Sequence, residues 1–318
     1  MIKPSFSWNR QPRQYVSAVD DAVHGLVAVV MDIGHRRPRL LACKQVEASG
    51  LSLEALKRLA GDLPKRLPWV WTCSREQYNL MVLEKPPVPA SELHKSLRWA
   101  LESRVDFPTE EAMVVWMDVP HPSPAPGDAE HLHVVAAHKD TVRSIAQTFA
   151  EATLPLEVVD IRETAQRNIA ALIEQDDECL ALMSFEPQGV LLTFTWRGEL
   201  YLDRFFIQPL QEIEQANPAE RQRILDRVVS QYLRSLDFIS SQYGFLQVRR
   251  LMLGPLPFEF DMVSAMAGRL PHPVQKVDLA ALLEVNDQTG AEVLASSALQ
   301  ARLWYAIGAG LRYEGTRS

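Results

Sequence analysis

The stretch ALMSFEPQGVLLTFTWRGELYLDRFF, residues 181–206, decides how this chain is read. Three runs rich in Leu, Phe, Thr and Tyr are interrupted at Glu186–Gly189 and again at Arg197–Gly198, so the stretch predicts a three-stranded meander with two tight turns. The first turn carries the question. A turn that holds phosphate needs small residues and backbone N–H groups free to donate. Here it contains one glycine, an acid, and Pro187, which has no N–H.

The start of the chain echoes this pattern. YVSAVD (15–20), GLVAVVMD (25–32) and RLLACKQV (39–46) predict strands, the last two joined by a turn at Gly34–Pro38. Leu53, Leu56 and Leu59 predict a helix over 51–63 that Ser52 caps, and WVWTCS (69–74) and YNLMVLE (78–84) predict two more strands. Two meanders, each followed by helix–strand alternation, predict two related α/β lobes.

Between the lobes lies a smaller module at about 86–138. The rigid KPPVP break (85–89) opens it. A helix capped by Ser91 and running to about Arg104 follows, with Leu93, Leu97, Leu101 and Val105 along one stripe. Strands at 112–119 and 131–138 flank the proline-rich PHPSPAPGDAE. After it come a helix (140–152), a strand (156–161) and a helix (163–174). Asn217, Pro218 and Glu220 then open a long helix with Ile224, Leu225, Val228, Val229, Tyr232, Leu236 and Ile239 on one face. The domain reading is a first lobe over 1–162, a second over 163–293, and a helix at 294–318 that returns to the first.

Composition excludes several classes. The net charge of −7 argues against a nucleic-acid groove. Three cysteines, far apart and without a CxxC, fit a reducing cytosol better than disulfides or zinc. The N-terminus lacks a signal-peptide core, and no apolar run is long enough to span a bilayer. Phe6 and Trp8 among Lys3, Arg10 and Arg13 read as a frayed terminus. His131, His133 and His138 read as polar residues of a solvated strand edge rather than metal ligands. Walker, GxGxxG, GxSxG and HExxH motifs are absent, and Gly308 and Gly310 read as close-packing positions.

The order of QYLRSLDFISSQYG (231–244), RRLMLGPLP (249–257) and LWYAIGAGLR (303–312) resembles the PilM family, actin-like cytoplasmic components of type IV pilus machines. RSLDF, 234–238, carries most of the weight, and LHKSLRWALESRVDFPTEEAMVVWMDV, 93–119, looks like that family's inserted subdomain. Within the family the chain is most similar to the members that serve mannose-sensitive haemagglutinin (MSHA) pili. It also resembles the cytoplasmic part of GspL from type II secretion, without that protein's transmembrane helix and periplasmic domain. The resemblance implies an actin-like, ribonuclease H-like two-lobed α/β fold with an inserted α+β subdomain.

It also implies where ATP and Mg²⁺ would bind, and there the motifs depart. In the first meander Asp20 can stand for the family's acid, but Asp21, Ala22, Val23 and His24 follow, with Gly25 only late in the turn. In the second, Met183–Ser184–Phe185 and then Glu186–Pro187 stand where aspartate–isoleucine–glycine is expected. In the adenosine turn Gly254 is followed by Pro255, Leu256 and Pro257 instead of a second glycine. The expectation is a degenerate nucleotide site at Asp20, Ser184 and Gly254, no cofactor, no metal and no catalysis. The alternative is an active ATPase or nucleotide switch that takes ATP and Mg²⁺.

The partner implied is a PilN-like inner-membrane protein, whose N-terminal cytoplasmic tail enters a groove beside the inserted subdomain. Leu97, Leu101, Phe107 and Trp116 are the candidate trough and Arg98 and Arg104 the rim. The pilus assembly ATPase and a second copy of the chain are further candidate partners. The expected place is the cytoplasmic face of the inner membrane.

Overall fold

A computed structural model describes residues 14–312 except 23–24, 123–128, 176 and 286–287. The N-terminal Phe6 and Trp8, Val23 and His24, and most of the proline-rich stretch lie outside the described residues.

The first lobe begins with an antiparallel meander, β1 (Tyr15–Ala22), β2 (Gly25–Asp32) and β3 (Arg39–Val46). After helix α1 (Leu53–Ala60), whose N-cap Ser52 Oγ accepts from the Ala55 N–H at 3.2 Å, comes β4 (Trp69–Thr72), parallel to β1. GLVAVVMD is apolar on both faces because β2 is covered on both.

The inserted subdomain contains β5 (Asn79–Glu84), α2 (Ala90–Leu101), β6 (Ala112–Val119) and β7 (His131–His138). Its sheet runs β5-β7-β6, antiparallel throughout. The module therefore starts at Asn79, not at the proline break. KPPVP lies inside it and turns the chain from β5 into α2. Pro89, not Ser91, is the N-cap of α2. Leu93, Leu97 and Leu101 seat α2 on Leu83, Val114, Leu132, Val134 and Ala136. The opposite face is shared: Val135 and Ala137 pack into the first lobe's core, and Val119 into the second's. Leu97→Ala is expected to cost about 2–5 kcal/mol, the usual range for an enclosed leucine. Hydrogen exchange should localise the loss to residues 79–138.

Helix α3 (Lys139–Glu151) and β8 (Leu156–Asp160), parallel to β4, extend the first lobe's sheet beyond β4. Helix α4 (Arg162–Ala170) then leads to the second lobe. There β9 (Cys179–Phe185), β10 (Gly189–Trp196) and β11 (Glu199–Ile207) form the second meander. Helices α5 (Leu210–Gln215) and α6 (Pro218–Gln242) follow, then β12 (Val248–Leu253), α7 (Met262–Met266) and β13 (Val274–Lys276), giving the order β11-β10-β9-β12-β13. A capping box between Asn217 and Glu220 starts α6. Its Tyr232 stacks on Phe194 of β10, centroids 6.2 Å apart.

The chain returns to the first lobe earlier than residue 294. Past α8 (Leu279–Leu282), β14 (Glu284–Val285) pairs with β3, making the six-stranded order β14-β3-β2-β1-β4-β8. Helices α9 (Gln288–Ala295) and α10 (Ser297–Gly310) end the fold. α10 lies over β1, β2 and β4 and crosses α4. A Cβ at Gly308 would stand 2.3 Å from the Ala165 carbonyl oxygen, so only glycine permits this approach.

Candidate functional site

The β1–β2 and β9–β10 hairpins face each other across a cleft of about 310 Å³, lined among others by Asp20, Asp21, Arg75, Arg162, Glu186 and Tyr305. Parallel pairing places Asp20, Thr72 and Asp160 in one row across the ends of β1, β4 and β8. This is the end of the sheet at which open α/β folds bind ligands.

One arginine occupies the centre. Arg162, the first residue of α4, is buried and reaches acids from both lobes. Its guanidinium donates to Glu186 Oε2 at 2.9 Å, lies 3.8 Å from Asp20 Oδ1, and donates to the Asp21 carbonyl at 3.2 Å. Tyr305 of α10 lies against it, the guanidinium carbon 4.7 Å from the ring centre, and donates its hydroxyl to Glu186 Oε1 at 2.6 Å. The same hydroxyl meets Ser184 Oγ at 2.9 Å. Burial lowers the stability of each charge, and the pairing offsets it.

The next residue, Glu163, faces the root of the subdomain. It is fully buried, paired with Arg75, and accepts from the Tyr78 hydroxyl at 2.6 Å. Arg75 also stacks on Phe205 of β11, 4.1 Å from the ring centre. Nearby, burial and then Glu163 push the Asp203 carboxyl up to about 7. His133 is 1% exposed, so it does not sit on a solvated edge. Its Nε2 lies 3.1 Å from the Leu200 carbonyl, and burial brings its pKa down to about 4. Its 3.7 Å approach to Asp203 is thus a contact of neutral imidazole, not an ion pair. No group of three metal-ligating side chains occurs among the described residues.

Burial pushes the Asp20 carboxyl up to about 6; Arg162 opposes the rise, and Asp21 and Glu186 add to it. The folded protein therefore holds this proton more tightly than the unfolded chain, whose aspartates titrate near 3.8. The stabilisation is fully present below about pH 4 and is lost as pH rises through about 6. Between pH 4.5 and 8 wild type should lose on the order of 2 kcal/mol relative to Asp20→Asn, at about 1.4 kcal/mol per pKa unit. Urea unfolding of both proteins at the two pH values measures it.

The chain matches no protein-family model and no curated protein. Among solved structures it is similar to a chain of a PilM–PilN type IV pilus biogenesis complex, with a TM-score of 0.70 and 18% identity over 93% of this chain and 97% of that one. Weaker likenesses are to the cytoplasmic domain of EpsL, an inner membrane component of the Vibrio cholerae type II secretion system (TM-score 0.48, 13% identity, 90% and 94% covered), and to a Bacteroides thetaiotaomicron protein of actin-like ATPase fold and unknown function (0.47, 13%, 89% and 96%). The fold is actin-like.

In this actin-like chain the three expected nucleotide residues do not share one surface. Asp20 lines the cleft; Ser184 lies beneath it, bonded to Tyr305. Gly254 is buried against β9, its N–H donating to the Met183 carbonyl at 2.7 Å. The turn where adenosine was expected is tied to α10: Ser297 Oγ at the helix start donates to the Leu256 carbonyl at 3.0 Å. The β9–β10 turn, where the second phosphate contact was expected, ties up most of its donors in its own closure. Glu186 N–H bonds the Gly189 carbonyl at 2.7 Å, Gly189 N–H bonds the Glu186 carbonyl at 3.2 Å, and Pro187 has none. The sequence places Glu186 only within the stretch that lacks the expected aspartate and glycine, and gives Arg162, Glu163 and Tyr305 no role. The available signal was an Arg–Glu pair directly after the strand that ends in Asp160.

The candidate groove residues divide as well. Leu97 and Leu101 are wholly buried under α2 and cannot line a trough. Phe107 is half-buried, edge-on to His138 at 5.4 Å, and Trp116 is half-buried beside His94 at 6.2 Å. Arg98 donates to the Ala112 carbonyl at 2.8 Å, and exposed Arg104 to the Ala100 carbonyl at 3.1 Å, so both tie α2 locally. The apolar side chains left exposed on the subdomain include Trp99 at 74%, Val115 at 55% and Met113. No helix among the described residues is long and apolar enough to cross a membrane.

Proposed function

We propose that this chain is a non-catalytic scaffold of a type IV pilus assembly platform, with a cleft that does not take ATP and Mg²⁺ usefully. The observation that carries the reading is Arg162, a fixed cation held between Asp20 and Glu186 where a nucleotide and its metal would have to enter. A phosphate there meets two hairpins that present acids and few free N–H groups, and repulsion by Asp20, Asp21 and Glu186 adds to the cost.

The scaffold would hold the N-terminal cytoplasmic tail of a PilN-like inner-membrane protein on the inserted subdomain, and through it stay at the inner membrane. The PilM–PilN likeness supports this partner class. β6 has its outer edge unpaired in the sheet order, with Met113 and Val115 exposed, which suits an added strand. Within the pilus proteins the overall sequence resemblance favours the MSHA branch, as in MshI. The assembly ATPase and a second copy are further candidate partners.

Parallel calorimetric titrations test the reading, one with ATP and Mg²⁺ and one with a peptide copying the tail of the membrane protein encoded beside it. Peptide binding without nucleotide binding supports it. Val115→Glu and Trp116→Ala should each weaken the peptide at least about tenfold, the loss of one good apolar contact. Nucleotide binding would replace the scaffold with a nucleotide switch.

A further inference from the structure

The residues that hold the cleft and those that root the subdomain meet in one helical turn. The linker from β4 to β5 passes along the cleft wall, where Ser74, Arg75 and Glu76 line it, before it enters the subdomain at Tyr78. The start of α4 has no side-chain cap of its own. The Tyr78 hydroxyl serves instead: it accepts from the Arg162 backbone N–H at 3.4 Å and donates to Glu163 Oε2 at 2.6 Å. One buried hydroxyl from the subdomain's root thus touches both Arg162, which lines the cleft between Asp20 and Glu186, and Glu163, which holds Arg75. Arg75 in turn lies on Phe205 of the second lobe.

We infer that the first turn of α4 couples the setting of the inserted subdomain to the opening of the interlobe cleft through Tyr78, Glu163 and Arg162. A partner that shifts β5 must move Tyr78. Moving Tyr78 removes the cap from α4 and displaces the guanidinium that bridges the lobes. The route runs both ways, as coupling between two sites requires. It has the physical basis such a route needs, a contiguous set of buried hydrogen bonds. It holds whichever partner the subdomain takes.

Hydrogen exchange on the full chain tests it without a partner. Tyr78→Phe removes one hydroxyl and leaves every charge in place, so it should fold. It is expected to raise exchange at least tenfold in the cleft segments 18–22 and 184–190, and at most twofold in α6 and β12. Arg162→Lys, which keeps the charge but not the fork of donors, is expected to raise exchange tenfold in β5. Trp99→Ala, exposed on the same subdomain but away from its root, should leave the cleft unchanged. Effects confined to each variant's own side would overturn the coupling, as would a uniform rise across the chain or a cleft response to Trp99→Ala. None of these results depends on nucleotide or peptide binding, so the coupling and the scaffold reading fail separately.

Discussion

Replacing Arg162 by methionine is expected to destabilise the protein by about 3–5 kcal/mol at pH 8, the usual result of removing one partner from a buried ion pair. The methionine fills a similar volume but leaves Asp20 and Glu186 facing one another without a cation. Glu186 keeps the Tyr305 hydroxyl; the Asp20 carboxylate keeps much less. The loss should shrink toward pH 4.5, because Asp20, with a pKa of about 6, is then protonated. Adding Asp20→Asn and Glu186→Gln should restore most of it, since apolar or neutral replacement of a whole buried network is often neutral. Urea midpoints for the single and triple variants decide this. A single variant as stable as wild type at pH 8 would mean that Arg162 does not hold the lobes.

Gly308→Val is expected to be the most damaging apolar substitution in α10, at least about 3 kcal/mol and with loss of soluble protein. The added Cβ would lie 2.3 Å from the Ala165 carbonyl oxygen and 2.7 Å from its carbon, and backbone cannot step aside as a side chain can. α10 must then lift from α4, breaking the 2.9 Å bond from Asn168 Nδ2 to the Gly308 carbonyl. It would also loosen Tyr305 over the cleft. Gly310→Val is the comparison. Its obstacle is the flexible Met31 side chain at 2.6 Å, so its cost should be clearly smaller. Expression level and thermal midpoint separate the two variants.

Much of the fold was legible because its signals are local. Strand alternation, the Asn217–Pro218–Glu220 helix start and the two meanders depend on near neighbours in sequence. The edges of the subdomain did not follow, since only pairing with β7 assigns β5 to it rather than to the first lobe. Leu97 and Leu101 read as trough residues in the sequence because a helical apolar stripe is the same whether it faces a partner or its own sheet. His133 was read as solvated since nothing in HLHVVAAH reveals that β11 lies against it. The cleft was half legible. The missing glycines and Pro187 stand in the sequence, but Arg162 meets Asp20 and Glu186 only after 142 and 24 residues of chain respectively are folded. A loss of motif can be read from residue types; the ion pair that fills its place depends on long-range geometry.

The most direct measurement is calorimetric titration of the wild-type chain with ATP and Mg²⁺, with Arg162→Met titrated alongside. No binding tighter than about 1 mM, roughly −4 kcal/mol, is expected for wild type, because a fixed guanidinium already bridges the acids that face the cleft. Micromolar binding to wild type would contradict this. It would mean that Arg162 yields to the nucleotide and that the chain is a working switch.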